Sequence, residues 1–327
     1  MMLGRGGSWW SVLVPLALSA TLGCGRASDR ARQVASPPDS LLTAEALAAL
    51  PSQPPDARIP YGSDSSQVGE LRLPDGAGPY PVVVLVHGGC FKAAYATRQY
   101  LAQMGDALKA AGIATWNVEY RRLGEPGGGW PGTYADIGAA IDYLRTLAGQ
   151  YPLDLGRVVL VGHSAGGHLA LWGAGRARVP SGSDLHATNP LPVRGVLDLA
   201  GPVDLTANIA GYEALCRDSV ITHLLGGTPS TVPERYASAS PRALLPIGVP
   251  QVVLLGEYEE FVPRPVADEY VRAATQAGDS IRLVVVPGLG HFDIASTRAS
   301  MWPQVASTIQ ALLDGRLPSN SAATSRP

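Results

Sequence analysis

Six stretches of the chain are mostly apolar: Val82–Val86, Ile113–Val118, Val158–Val161, Val193–Leu199, Gln251–Leu255 and Ile281–Val286. Each is short, and β-branched residues are frequent in them. A strand with one wet face alternates polar and apolar residues, whereas a strand covered on both faces does not. The runs therefore predict strands lying between helices. Apolar residues recur at helical spacing between them, in Arg98–Ala111, Tyr134–Ala148, Gly166–Ala177, Val266–Ala277 and Trp302–Leu313. Gly112 and Gly278 stand where a helix C-terminal glycine belongs. One further strand, Val68–Leu73, is expected to start the sheet in an antiparallel hairpin. The alternation of strand and helix predicts an α/β fold with a doubly wound, mostly parallel sheet. Chemistry in such sheets sits at the carboxyl ends of the strands.

The alternation stops in residues 204–246, which hold Tyr212, Cys216 and His223 and are expected to form a small cap over the site. It is also missing at the two ends. Residues 1–24 carry an early Arg5, an apolar run from Trp9 to Leu18 and small residues before Cys24. That is the pattern of a secretory signal, and the run is too short and too Pro-interrupted for a good membrane span. Thr21-Leu22-Gly23-Cys24 resembles a bacterial lipoprotein signal, which implies a lipid anchor at Cys24; an ordinary cleaved signal is the alternative. Residues 25–60 read as a flexible linker with one short helix at Leu41–Leu50, residues 61–316 as the catalytic domain, and residues 317–327 as a disordered tail.

Composition narrows the classes. Among 327 residues, 46% are hydrophobic and 16% charged, which suits a globular chain and excludes wholesale disorder. The 25 basic and 27 acidic residues nearly cancel, so neither nucleic acid nor an anionic membrane surface is expected as a partner. Three cysteines suit an exported protein. If Cys24 is lipidated, Cys90 and Cys216 remain, either bridged or as two free thiols.

The candidate chemistry begins at Gly162-His163-Ser164-Ala165-Gly166, which follows the strand Val158–Val161 and opens a helix. That context gives Gly-x-Ser-x-Gly its meaning: a sharp turn lifts the Ser164 hydroxyl off the sheet at a helix N-terminus, where developing negative charge is favoured. His87-Gly88-Gly89-Cys90 ends the strand Val82–Val86, and its glycines let backbone approach a substrate oxygen closely. Gly88 and Gly89, with Ala165 after the nucleophile, are the expected oxyanion donors; the Cys90 N–H is a further candidate. His291 follows the last strand and is the expected base. His163, His168, His186 and His223 are not. After the strand Gln251–Leu255 the chain reads Gly256-Glu257-Tyr258-Glu259-Glu260-Phe261-Val262-Pro263, so the residues leave several acids open, with Asp204 in reserve.

Together these motifs resemble the α/β-hydrolase superfamily. Within it the chain is similar to the esterase/lipase group that includes kynurenine formamidase-like and feruloyl-esterase-like serine hydrolases. Further support comes from Glu119-Tyr120-Arg121-Arg122, Gly167-His168-Leu169, Leu224-Leu225-Gly226-Gly227 and Gly290-His291-Phe292. The resemblance covers about residues 68–313 and implies the α/β-hydrolase fold. Related hydrolases read Gly-x-x-Asp-x-x-Val-Pro after the penultimate strand, which puts Glu259 at the acid position. The implied activity is hydrolysis of a carboxylic ester through an acyl-enzyme on Ser164. An amidase, aryl formamidase or peptidase with the same residues is the alternative, and an inactive binding member is a third reading. A small-molecule ester or amide is the expected partner. No metal or organic cofactor is called for, because no Cys/His cluster has ligand spacing.

Overall fold

The computed structural model describes residues 41–319. The signal, Cys24 and residues 320–327 lie outside the described residues. Among the described residues, eight strands form one sheet: β1 (Ala57–Pro60), β2 (Val68–Arg72), β3 (Tyr80–Val86), β4 (Ala114–Val118), β5 (Leu153–His163), β6 (Gly195–Leu199), β7 (Gln251–Tyr258) and β8 (Ile281–Gly290). Their spatial order is β1-β2-β4-β3-β5-β6-β7-β8. β1 and β2 pair antiparallel, as do β2 and β4, and every other pairing is parallel. This is the α/β-hydrolase sheet.

Among the described residues ten α-helices accompany it: α1 (Ala44–Ala48), α2 (Ala102–Ala110), α3 (Gly132–Asp142), α4 (Leu144–Ala148), α5 (Ala165–Gly175), α6 (Ile209–Cys216), α7 (Val220–Leu225), α8 (Pro233–Ala239), α9 (Arg264–Gln276) and α10 (Trp302–Leu313). Register shows that they cover both faces. Val159 on β5 pairs with Gly195 on β6, so those two share a face and Leu160 points to the other. Gly195 lies against Leu312 of α10, whereas Leu160 lies against Gly173 of α5. α10 and α5 therefore pack on opposite sides. This explains why Val82, Val83, Val84, Leu85 and Val86 are all buried, each worth roughly 1.5–3 kcal/mol.

The structure departs from the sequence reading in several places. Residues 41–60 are not a tether: Leu47 and Leu50 join the core, and β1 adds an edge strand to β2. Salt links fix the same stretch, with Lys109 Nζ 2.7 Å from Asp56. The helix expected over 134–148 is split at Tyr143, and the first turn of the one expected from Arg98 is a tighter 3-10 turn. The stretch after residue 317 begins against the domain, where Leu317 packs on the core and the Ser319 carbonyl accepts from Arg282. Gly112 and Gly278 do end α2 and α9, both with positive φ. The segment 204–246 folds into α6, α7 and α8.

Candidate active site

Ser164 stands between the end of β5 and the start of α5 with φ +55° and ψ −127°. Few non-glycine residues tolerate that backbone, which costs on the order of 1–3 kcal/mol. The packing enforces it. A side chain at Gly162 would strike the Gly166 carbonyl, and one at Gly166 would strike the Val86 carbonyl. The Ser164 N–H donates to the Leu199 carbonyl at 2.8 Å, tying the turn to β6.

The loop after β3 comes close to this turn. A Cβ at Gly88 would lie 2.9 Å from the Ser164 Cβ. Gly89 has φ +108°, and Cys90 and Phe91 follow with φ of 51° and 57°. Among the described residues, the backbone N–H groups of Gly88, Gly89, Cys90 and Ala165 have no hydrogen-bond acceptor. Free donors here are suited to a developing oxyanion. Beneath the loop, His87 Nε2 meets Glu119 at 2.7 Å and its Nδ1 meets the Gly88 carbonyl at 2.8 Å. Arg122 lies 3.2 Å from the same carboxylate. Burial pushes the Glu119 carboxyl up, but His87 and Arg122 outweigh it and hold the group at about 2.

His291 follows β8 directly. Its Nδ1 faces both oxygens of Glu259, at 2.9 and 2.8 Å. A carboxylate only accepts, so Nδ1 carries the proton and Nε2 is left as a lone pair. Glu259 Oε1 also accepts from the N–H groups of Phe261 and Val262. The competing acids are elsewhere: Glu257 accepts from Gly288 N, Glu260 is exposed, and Asp204 bonds to Thr206. Phe261 lies over the imidazole with ring centroids 4.2 Å apart.

His163 connects His291 to the turn at Ser164. Its Nε2 donates to the His291 carbonyl at 2.8 Å, so its Nδ1 must accept from the Tyr100 hydroxyl at 2.9 Å. Burial, reinforced by the neighbouring His291, pushes its pKa well below the ordinary value and keeps the ring neutral. His168 is a second brace, donating to the Pro202 carbonyl and accepting from Tyr134. His186 Nδ1 meets the Val179 carbonyl, and His223 is exposed beside Asp218. Ser164 Oγ makes no hydrogen bond to His291 here, and such bonds commonly tighten only around substrate.

The segment 204–246 is fastened to the loop after β3. Cys90 and Cys216 are bridged with their Cα atoms 5.9 Å apart, and Lys92 Nζ reaches Asp218 at 2.7 Å. Sequence reasoning left the bridge open and gave Glu119, Tyr100 and Tyr212 no role. Only the Glu119-Tyr120-Arg121-Arg122 motif signalled one of them. Among the described residues, no cluster of three or more His, Cys, Asp or Glu side chains is gathered to hold a metal.

Comparison with known proteins places the chain in a family and a fold. The family model described as BD-FAE matches residues 70–270. That span includes Ser164 and Glu259, and His291 lies beyond it. Esterase LipC of Mycobacterium tuberculosis (strain ATCC 25618 / H37Rv) is 27% identical over 249 residues, covering 72% of this chain and 60% of that protein. The probable isoprenylcysteine alpha-carbonyl methylesterase ICME of Oryza sativa subsp. japonica is 24% identical over 241 residues, 72% of this chain and 57% of that protein. The chain thus spans less than two thirds of the length of either. Among solved structures, Esterase B from Lactobacillus Rhamnosis (HN001) superposes with a TM-score of 0.67 at 19% identity, covering 83% of this chain and 90% of that one. That likeness speaks for the fold.

Proposed function

The chain belongs to the BD-FAE family, and from that premise we propose that it is an exported serine hydrolase cleaving carboxylic esters through an acyl-enzyme on Ser164. One observation carries the reading: the Glu259–His291 pair is held, through His163, against the strained turn that presents Ser164. In this mechanism Ser164 Oγ attacks the ester carbonyl and His291 Nε2 takes its proton. The N–H groups of Ala165 and Gly89, with Gly88 beside them, receive the oxyanion. The alcohol leaves with the proton from His291, and water repeats the sequence to free the acid. Glu259 keeps the imidazole in the productive tautomer. No step calls for a cofactor.

The esterase names of both curated relatives support an ester over an amide. The Cys90–Cys216 bridge supports export, because such bonds persist in oxidising compartments.

The test is a series of p-nitrophenyl esters from acetate to laurate beside N-formyl-kynurenine, with the wild type and Ser164→Ala. Fast turnover within the ester series, abolished in the variant, is expected. Turnover of the formamide alone reassigns the enzyme as an amidase, and inertness on every substrate overturns the reading.

A further inference from the structure

We propose that Tyr212 is a substrate-contacting residue of this site, its hydroxyl donating a hydrogen bond to the oxyanion that forms when Ser164 attacks. The proposal rests on the ester hydrolysis set out above.

Tyr212 lies on α6 in the cap, and it is buried. Its ring spans the site, 6.5 Å from Phe91 of the oxyanion loop and 6.0 Å from Phe261, which covers His291. Its hydroxyl faces the Ser164 side chain. Nevertheless that hydroxyl is buried with no hydrogen-bond partner of good geometry among the described residues. Other buried tyrosines are satisfied: Tyr100 by His163, Tyr120 by the His87 carbonyl, Tyr134 by His168 and Tyr270 by Gln251. Tyr80 also lacks a partner, but it begins β3, at the end of the sheet away from Ser164. A buried donor without an acceptor destabilises the fold, so one aimed at a nucleophile calls for an explanation.

The surroundings keep it a donor. Burial, joined by the negative charges of Glu259 and Asp198, pushes the phenol well above its ordinary pKa, with Ser164 opposing. It therefore stays an O–H across the working pH range. The leaving oxygen already has the His291 proton, so the carbonyl oxygen is where an additional donor has negative charge to meet.

The cap holds this hydroxyl rigidly. Cys216 lies four residues after Tyr212, one helical turn along the same side of α6. It is bonded to Cys90, the residue after Gly89. The Tyr95 hydroxyl donates to the Cys216 carbonyl at 3.0 Å. The loop that supplies backbone donors and the helix that supplies Tyr212 are thus one covalently joined unit.

Tyr212→Phe tests this, since it keeps the ring on Phe91 and Phe261 and removes only the oxygen. With p-nitrophenyl acetate, kcat should fall about 10²-fold while KM moves less than about threefold. The thermal midpoint should stay or rise, because an unsatisfied hydroxyl is gone. Binding of phenylboronic acid, which becomes tetrahedral on the serine, should weaken in parallel. A kcat within about twofold of wild type overturns the proposal. So does a loss of kcat accompanied by a lowered midpoint and unchanged boronate affinity, which marks a packing role. A wild type inert on esters sinks the hydrolase reading itself, a result distinguishable from an active wild type matched by an equally active variant.

Discussion

Glu259 holds the Nδ1 edge of His291 with both carboxylate oxygens, at 2.9 and 2.8 Å, and both side chains are almost wholly buried. The same carboxylate is pinned by the N–H groups of Phe261 and Val262. Beyond those two backbone donors the buried carboxylate meets the imidazole, an arrangement suited to setting its tautomer. Glu259→Gln offers an amide that can donate to Nδ1 and so favours the wrong tautomer. We expect kcat to fall about 10²- to 10⁴-fold with the fold intact. Stopped-flow ester hydrolysis with far-UV circular dichroism checks this, and an unchanged rate removes Glu259 from the mechanism.

The Cys90–Cys216 bridge closes a loop of sequence separation 126. Loop-closure entropy gives such a crosslink about 4–5 kcal/mol in the chain-entropy model. Cys216→Ser should lower the urea midpoint at unchanged protein concentration. It should also cut kcat/KM, because α6 loses its tie to the oxyanion loop. Treatment with dithiothreitol should reproduce both effects in the wild type and neither in the variant.

Glu119 holds His87 and Arg122 beneath the glycines of the oxyanion loop. Its carboxyl is held at about 2 instead of its ordinary 4.5, so it contributes stability above pH 4.5 that is lost as the pH falls through about 2. The shift corresponds to about 3 kcal/mol. Glu119→Gln should therefore cost about that much by urea unfolding at pH 7. The gap to wild type should narrow as the pH falls from 4.5 toward 2, and a gap independent of pH would count against the ion pair.

His163 and His168 are fully buried, and burial lowers the pKa of each, His168 to about 4. Between pH 6.5 and about 4 the unfolded chain binds protons at these rings that the folded chain refuses. Stability is then present above pH 6.5 and declines as the pH falls, by up to about 1.4 kcal/mol per pH unit for each ring. Urea unfolding at intervals from pH 7.5 to 5 measures the slope. A flat profile contradicts the neutral, hydrogen-bonded roles of these histidines.

The inner strands were legible because burial on both faces leaves an uninterrupted apolar run, as at Val82–Val86. β1 was not: its residues alternate between half-buried and exposed at the sheet edge, and Ala57-Arg58-Ile59-Pro60 lies in a Pro-rich stretch that resembles a linker. The turn at Ser164 was legible because its glycines are demanded by carbonyls that would collide with any side chain. The acid was not legible from residues alone. Glu257, Glu259 and Glu260 are chemically alike, and only resemblance to related hydrolases, then the loop's path back to His291, separates them. The pairing of Cys90 with Cys216 and the closeness of Tyr212 to Ser164 both depend on where the cap folds, which no local pattern encodes.

The central claim is that Ser164 is the nucleophile, and peptide mapping after reaction with a fluorophosphonate tests it most directly. One adduct per chain on the peptide containing Ser164, absent in Ser164→Ala, with ester turnover lost in step, is the expected result. An adduct on another residue, or full ester turnover by Ser164→Ala, contradicts the account.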